Sequence, residues 1–143
     1  MSSATPDSLQ VIHQFDVSPE RVFAAWLDPE SASRWLFATA TGRMVRAEID
    51  PRVGGFFYLT DRRDGEDVEH VGEYLEIESP RRLVFKMSVP KYSPVSTRVT
   101  VAILPLGSGC QLTLTHDGVL PEYVSRTEAG WGMILEALAK TLG

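Results

Sequence analysis

Cysteine is nearly absent: Cys110 is the only one in 143 residues, so the chain forms no internal disulfide and no cysteine-rich metal site. Histidine is almost as scarce. His13, His70 and His116 lie far apart, with no i, i+4 pair and no cysteine partner, so no metal centre is expected. No apolar run approaches the roughly 20 residues of a membrane-spanning helix. Residues 1–8 carry one charge, Asp7, and no apolar core; this is unlike a signal peptide and reads as a loose, disordered tail before a single domain, 9–143. Positive charge is in deficit: 14 Lys and Arg against 19 Asp and Glu give −5, a poor match for phosphate backbones. Signature loops are missing too. Gly107-Ser108-Gly109-Cys110 lacks the spacing of a serine nucleophile elbow, and there is no phosphate loop and no dinucleotide fingerprint. The expectation these absences leave is a soluble cytoplasmic protein with no cofactor, no metal, no nucleic-acid partner and no membrane partner.

What is present is alternation. Residues 9–17 read as a strand with Val11, His13, Phe15 and Val17 on one face. Ser18-Pro19-Glu20 then opens a helix, with Ser18 as N-cap, Pro19 at the first position and Glu20 favourable in the first turn. Asp28-Pro29-Glu30 ends it and starts a second short helix through Leu36. Six strands follow, at 44–49, 56–60, 68–78, 83–89, 97–104 and 110–116. Asp64-Gly65 predicts a tight hairpin, because both central residues of a type I′ turn need positive φ. Asp50-Pro51-Arg52-Val53-Gly54-Gly55 reads as architecture: Pro51 fixes φ, the glycines permit a bend, and Asp50 bonds its own backbone or Arg52. Arg62-Arg63 and Arg81-Arg82 fall at turns and read as solvated surface.

The chain closes on an amphipathic helix. Val124, Thr127, Glu128, Trp131, Ile134, Leu135, Leu138 and Leu142 share one face, and Arg126, Glu136 and Lys140 the other. Two starts compete: Pro121 at a first helical position, or a capping box of Ser125 with Glu128. Gly130 and Gly132 each cost about 1 kcal/mol relative to Ala, which burial of the stripe outweighs. A broad apolar face with no helical neighbour near it in sequence needs a sheet to lie on. The fold class is therefore α+β: a curved antiparallel sheet of about seven strands, two short helices and a long C-terminal helix packed across the sheet.

Four stretches, in unbroken order over about 9–142, resemble the SRPBCC (START-like, Bet v 1-like) superfamily, in its activator-of-Hsp90-ATPase branch. They are Ser18-Pro19-Glu20-Arg21-Val22-Phe23-Ala24-Ala25-Trp26 with Asp28-Pro29, and Asp50-Pro51-Arg52-Val53-Gly54-Gly55. Gly72-Glu73-Tyr74-Leu75-Glu76-Ile77 running into Pro80-Arg81-Arg82-Leu83-Val84-Phe85 is the third. Leu112-Thr113-Leu114-Thr115-His116 followed by Gly130-Trp131 and Ile134-Leu135 is the fourth. The resemblance implies a helix-grip fold with a cavity between the concave sheet and the long helix. It also implies that relatives bind lipids, hormones or polyketides, cyclise or hydrolyse them, or assist chaperones. The co-chaperone version carries an additional N-terminal domain that docks its partner, which this sequence lacks, so an Hsp90-type partner is not expected.

By that resemblance Phe57 and Leu59 face the cavity, as do Leu83, Phe85 and Met87; Leu112, Leu114 and His116 form a further face placed inward. For 72–77 two readings stay open: Gly72, Tyr74 and Glu76 inward, which is favoured because Gly72 leaves room beneath a ligand, or Glu73, Leu75 and Ile77 inward. His116 is either a ligand partner or general base, or a strand-end histidine half in solvent. Thr127 and Glu128 are polar markers at the cavity mouth, or Glu128 simply completes the capping box. Trp35 and Phe37 form a gate over the cavity or an aromatic plug. Trp131 and Leu135 complete the lining from the helix. Ala129, Met133 and Ala137 sit on the helix's outer face and hint at a homodimer contact. The leading reading is a non-catalytic module for a small, mostly hydrophobic or aromatic molecule, with specificity from some of His116, Tyr74, Glu128 and Thr127. A cyclase or hydrolase using the same cavity, with His116 or a carboxylate as base, is the second, and a chaperone-assisting role the third.

Overall fold

A computed structural model describes residues 7–36, 43–90 and 96–142 of the chain. Seven strands form one antiparallel sheet in the order β1-β7-β6-β5-β4-β3-β2. They are β1 (Asp7–Phe15), β2 (Arg43–Ile49), β3 (Phe56–Arg63), β4 (Glu66–Glu78), β5 (Arg82–Ser88), β6 (Thr97–Leu106) and β7 (Gly109–Val119). Helices α1 (Pro19–Leu27) and α2 (Pro29–Trp35) lie between β1 and β2, and α3 (Val124–Leu142) ends the chain. Consecutive strands from β2 to β7 pair as neighbours, and β1 returns to β7, so short turns suffice and no crossover helix is required.

Local chemistry sets the joints. Ser18 Oγ accepts from the Arg21 amide to cap α1, and Asp28 Oδ1 accepts from the Glu30 amide to cap α2, with Pro19 and Pro29 in the first turns. Asp64 and Gly65 both take positive φ, 50° and 80°, as the β3–β4 hairpin requires. In the 50–55 bend, Arg52 Nε donates to Asp50 Oδ2 at 2.8 Å, Gly54 takes φ 85°, and Tyr74 is clipped on both sides. The Gly54 amide donates to Tyr74 O at 2.9 Å, and the Tyr74 amide donates to Gly55 O at 3.0 Å.

The sheet has one apolar face and one charged face. Register places Leu9 and Val11 of β1 beside His116 and Leu114 of β7, then Val99 and Val101 of β6, then Phe85 and Leu83 of β5, while Phe15 pairs with Cys110 and Leu112 with Ile103. The opposite face carries exposed ion pairs, among them Arg46 with Glu48 and Glu69, Arg62 with Asp67, Lys86 with Glu73 and Arg82 with Glu76. Such pairs contribute little stability and keep that face in water. Core residues of α1 (Val22, Phe23, Ala25, Trp26), α2 (Ala32, Trp35) and α3 (Trp131, Leu135, Leu138) cover the apolar face. Arg21 Nη2 donates to Leu142 O at 2.9 Å, tying α1 to the C-terminal end of α3, where a cation also meets the helix dipole favourably.

Several boundaries differ from the sequence reading. β1 starts at Asp7, inside the expected tail, because Asp7 and Ser8 pair with Val119 and Asp117; it stops at Phe15 so that Asp16 and Val17 turn into the Ser18 cap. The Ser125 capping box does not form. Pro121 starts a 3₁₀ turn, Pro121–Tyr123, that runs straight into α3 at Val124, leaving Ser125 inside the helix with no cap role. Ala137 packs against the core, whereas Ala129 and Met133 are exposed, so the proposed outer-face triplet reduces to a pair. For β4 both face readings hold, each over part of the strand. Gly72 and Tyr74 point inward; the register shifts between Tyr74 and Glu76, and past this bulge Ile77 turns toward the core while Glu76 is exposed.

Candidate functional site

Among the described residues, the inner faces of β3, β4 and β5 meet α1, α2 and α3 in a cluster of six aromatic rings. Trp26 is the hub: its ring centroid lies 4.7 Å from Trp35, 6.2 Å from Trp131 and 6.3 Å from Phe85. Phe85 continues to Phe57 at 5.4 Å and Tyr74 at 6.4 Å, and Phe57 and Tyr74 stand 5.6 Å apart. Several are tilted or edge-to-face, the arrangements the ring quadrupole favours.

Side chains fill this interior. Phe57 and Trp131 are 3% exposed, Phe85 2%, and Leu59, Leu112, Leu114 and Leu135 0%. A side chain lining a void large enough for water would show exposed surface there, so the four leucines at 0% border none, and Phe57, Phe85 and Trp131 keep only 2–3% of theirs. Clefts of about 330 and 320 Å³ open on the outside instead, one beside Phe23, Leu27 and Ile77, the other beside Glu48, Phe56 and Tyr58. The expected role of Gly72 is corrected accordingly. A Cβ there would fall inside the Phe57 ring and against Lys86 O, so the glycine makes room for Phe57, its partner across the strands, and not for a ligand.

His116 sits at the polar centre of this apolar interior. Trp131 Nε1 donates to its Nδ1 at 3.0 Å, and its Nε2 lies 2.7 Å from Thr97 Oγ1. Because Nδ1 accepts, the proton must be on Nε2, which donates to Thr97; the Thr97 hydroxyl is left to donate to Met87 O at 3.5 Å. Burial pushes the His116 pKa down to about 4, against a smaller opposing pull from Asp117. The histidine is therefore buried and neutral, with both ring nitrogens occupied, and the half-solvated reading is corrected. It is a hydrogen-bonding anchor, and in this closed arrangement it holds no free base. Burial, aided by Asp50, also raises the Tyr74 pKa, so its phenol stays protonated.

The other candidates divide. Tyr74 and Trp35 are buried members of the cluster, Trp35 at 0% exposure, and Met87 and Leu135 are buried in the same core. Phe37 lies outside the described residues. Thr127 is half-buried and Glu128 is exposed, so Glu128 does not reach the interior. The N-terminal half of α3 sinks only Trp131 fully, and its neighbours Gly130 and Gly132 border open space, since a Cβ at either position would meet nothing within 4 Å. Among the described residues no group of three or more His, Cys, Asp or Glu converges on a metal position.

Sequence reasoning missed four contributors. Trp26 entered only as the last residue of the 18–26 stretch that carries the family resemblance, with no place in the site. Thr97 gave no signal, since its role depends on its neighbour across the sheet, His116. Asp61 and His70 are buried polar residues on the inner face, with His70 Nδ1 donating to Leu59 O at 3.2 Å. Continuing the alternation from Phe57 and Leu59 to Asp61, and from Tyr74 back through Gly72 to His70, would have found both.

A curved antiparallel sheet holding a long C-terminal helix over an aromatic interior defines a helix-grip α+β protein. The chain belongs to the activator of Hsp90 ATPase homolog 1-like protein family, whose model matches residues 16–143. A protein from Chromobacterium violaceum has a similar crystal structure, at 25% identity and TM-score 0.86 over 93% of this chain and 94% of that one. One from Rhizobium loti is 26% identical, with TM-score 0.80 over 98% and 99%. The solution structure of an AHSA1-like protein from Aeromonas hydrophila shares the fold at 22% identity, TM-score 0.84, over 95% and 92%. No curated protein sequence is significantly similar to the chain. No helix among the described residues is long and apolar enough to cross a membrane.

Proposed function

We propose that this domain binds a small, mostly hydrophobic or aromatic molecule between the concave face of its sheet and its C-terminal helix. Folds of this family commonly hold hydrophobic ligands, which makes the reading natural. The observation that carries it is the six-ring cluster, Trp26, Trp35, Phe57, Tyr74, Phe85 and Trp131, gathered beneath one half of α3 and organised around a buried polar anchor at His116. A mostly apolar site with a few fixed polar groups is the usual make-up of a small-molecule pocket. On this reading the part that moves to admit a ligand is Trp131. Its indole is hydrogen-bonded to His116, and it is flanked by two glycines that border open space. Swinging it outward would open the interior between β5 and α3 without unseating Leu135 and Leu138.

A thermal-melt series against bicyclic and tricyclic aromatic compounds and fatty acids tests the reading. A ligand at 100 times its Kd stabilises the folded state by about 2.7 kcal/mol. For a domain of this size that raises the melting temperature by roughly 10 °C. Melting temperatures that stay constant across the whole series would refute it. Binding, not turnover, is the favoured activity, because His116 is committed to Trp131 and Thr97.

A further inference from the structure

Two of the three tryptophans bury a hydrogen-bond donor with no acceptor. Trp26 Nε1 and Trp35 Nε1 are sealed from solvent and find no partner among the described residues, whereas Trp131 Nε1 is bonded to His116. Their side chains are almost completely enclosed, at 2% and 0% exposure. The rings stand edge to face, 4.7 Å apart and inclined by 82°. In such a pair one ring offers its edge and the other its face, so at most one N–H rests on the partner indole. Neither donor reaches a hydrogen-bond acceptor among the described residues. A buried donor left unpaired is costly, and tryptophan is ordinarily placed where its N–H has a partner; phenylalanine would fill a purely structural position without that cost. Trp26 is the hub of the six-ring cluster and Trp35 its edge-to-face neighbour, so both unpaired donors belong to the cluster.

We infer that the interior recognises a planar apolar molecule carrying an oxygen acceptor, a carbonyl or its equivalent, which takes up the indole N–H of Trp26 or Trp35. The inference rests on the ligand-binding reading above and specifies the chemistry of the ligand. On this account an apolar ring system stacks among Trp26, Phe85 and Trp131 while its oxygen turns toward the α1–α2 pair. The helices α1 and α2 then act as the polar wall of the site, and the His116 network as its far anchor.

A matched pair of ligands tests this: 1-tetralone and tetralin share a bicyclic skeleton and differ by one carbonyl oxygen. The carbonyl prefers water, so without a protein donor tetralin binds the more tightly. One recovered hydrogen bond is worth about a 2- to 12-fold change in affinity. The expected result is tighter binding of 1-tetralone to the wild-type protein, and loss of that preference in Trp26→Phe or Trp35→Phe. A ¹⁵N-labelled sample gives a readout that needs no variant to fold. With only three tryptophans there are three indole N–H signals. That of Trp26 or Trp35 shifts downfield with 1-tetralone and not with tetralin. Equal binding of the two compounds, or a preference that survives both substitutions, overturns the inference and leaves the ligand-binding reading intact. Binding of neither compound up to its solubility overturns the inference, and melting temperatures constant across the whole ligand series overturn the ligand-binding reading as well.

Discussion

Acidification should unfold this domain earlier than its surface carboxylates require, and His116 is the reason. Its pKa falls from the ordinary 6.5 to about 4 because the imidazole is buried, against a smaller opposing pull from Asp117. In the unfolded chain the same ring takes a proton near pH 6.5. Stability is therefore complete above about pH 6.5. It declines as pH falls, since the unfolded state gains a proton that the folded state refuses, and the loss ends near pH 4 where the folded ring protonates too. A drop from 6.5 to about 4 corresponds to roughly 3 kcal/mol, a sizeable part of the 5–15 kcal/mol typical of a domain. The assay is the urea midpoint as a function of pH for the wild type and His116→Gln, whose amide does not titrate. The wild type should lose roughly 3 kcal/mol relative to the variant between pH 6.5 and 4. A constant difference across that range, or a His116 NMR titration midpoint near 6.5, would refute the buried neutral imidazole.

Three further substitutions read the packing. Gly130→Ala and Gly132→Ala should each stabilise the domain by about 0.5–1 kcal/mol, seen as higher denaturant midpoints, because a Cβ there meets nothing within 4 Å and helix propensity improves. Gly72→Ala should destabilise by about 1–3 kcal/mol or more through collision with Phe57, and Phe57→Leu in the same chain should recover part of the loss, a non-additivity that a double-mutant cycle measures. Trp131→Phe removes the donor to His116 and some ring volume; a cost of about 1–3 kcal/mol is expected, together with a rise of the His116 pKa toward its ordinary value.

Features set by adjacent residues were legible in the sequence. Ser18-Pro19, Asp28-Pro29 and Asp64-Gly65 each carry their own cap or turn chemistry, and the structure places a helix start or hairpin at each. Period-two alternation grouped the residues of β3, β5 and β7 into faces, and for β3 and β5 the family resemblance indicated which face turns inward. Where tertiary context competes, local signals failed. Ser125 and Glu128 spell a capping box, but the 3₁₀ turn from Pro121 hands the chain to α3 before Ser125 can act. In β4 an unbroken alternation had to choose one face, and the bulge at Leu75 lets the strand use both. The candidate site was legible as a set of aromatics and only partly as an arrangement. The link from Trp131 to His116 spans 15 residues and that from His116 to Thr97 spans 19, so no local pattern announces either. Nor could alternation show that Gly72 yields its space to Phe57, which requires the register of β3 against β4.

The most direct test of the central claim locates a bound ligand. In an isotope-filtered NOE experiment on the labelled protein with an aromatic ligand such as 1-tetralone, the account predicts contacts from ligand protons to the methyl groups of Leu59, Leu114 and Leu135, which are sealed inside the closed domain. The Trp131 indole N–H signal should shift in the same titration as its bond to His116 breaks. Contacts confined to exposed residues such as Phe56 and Met133, with the Trp131 signal unmoved, would contradict it.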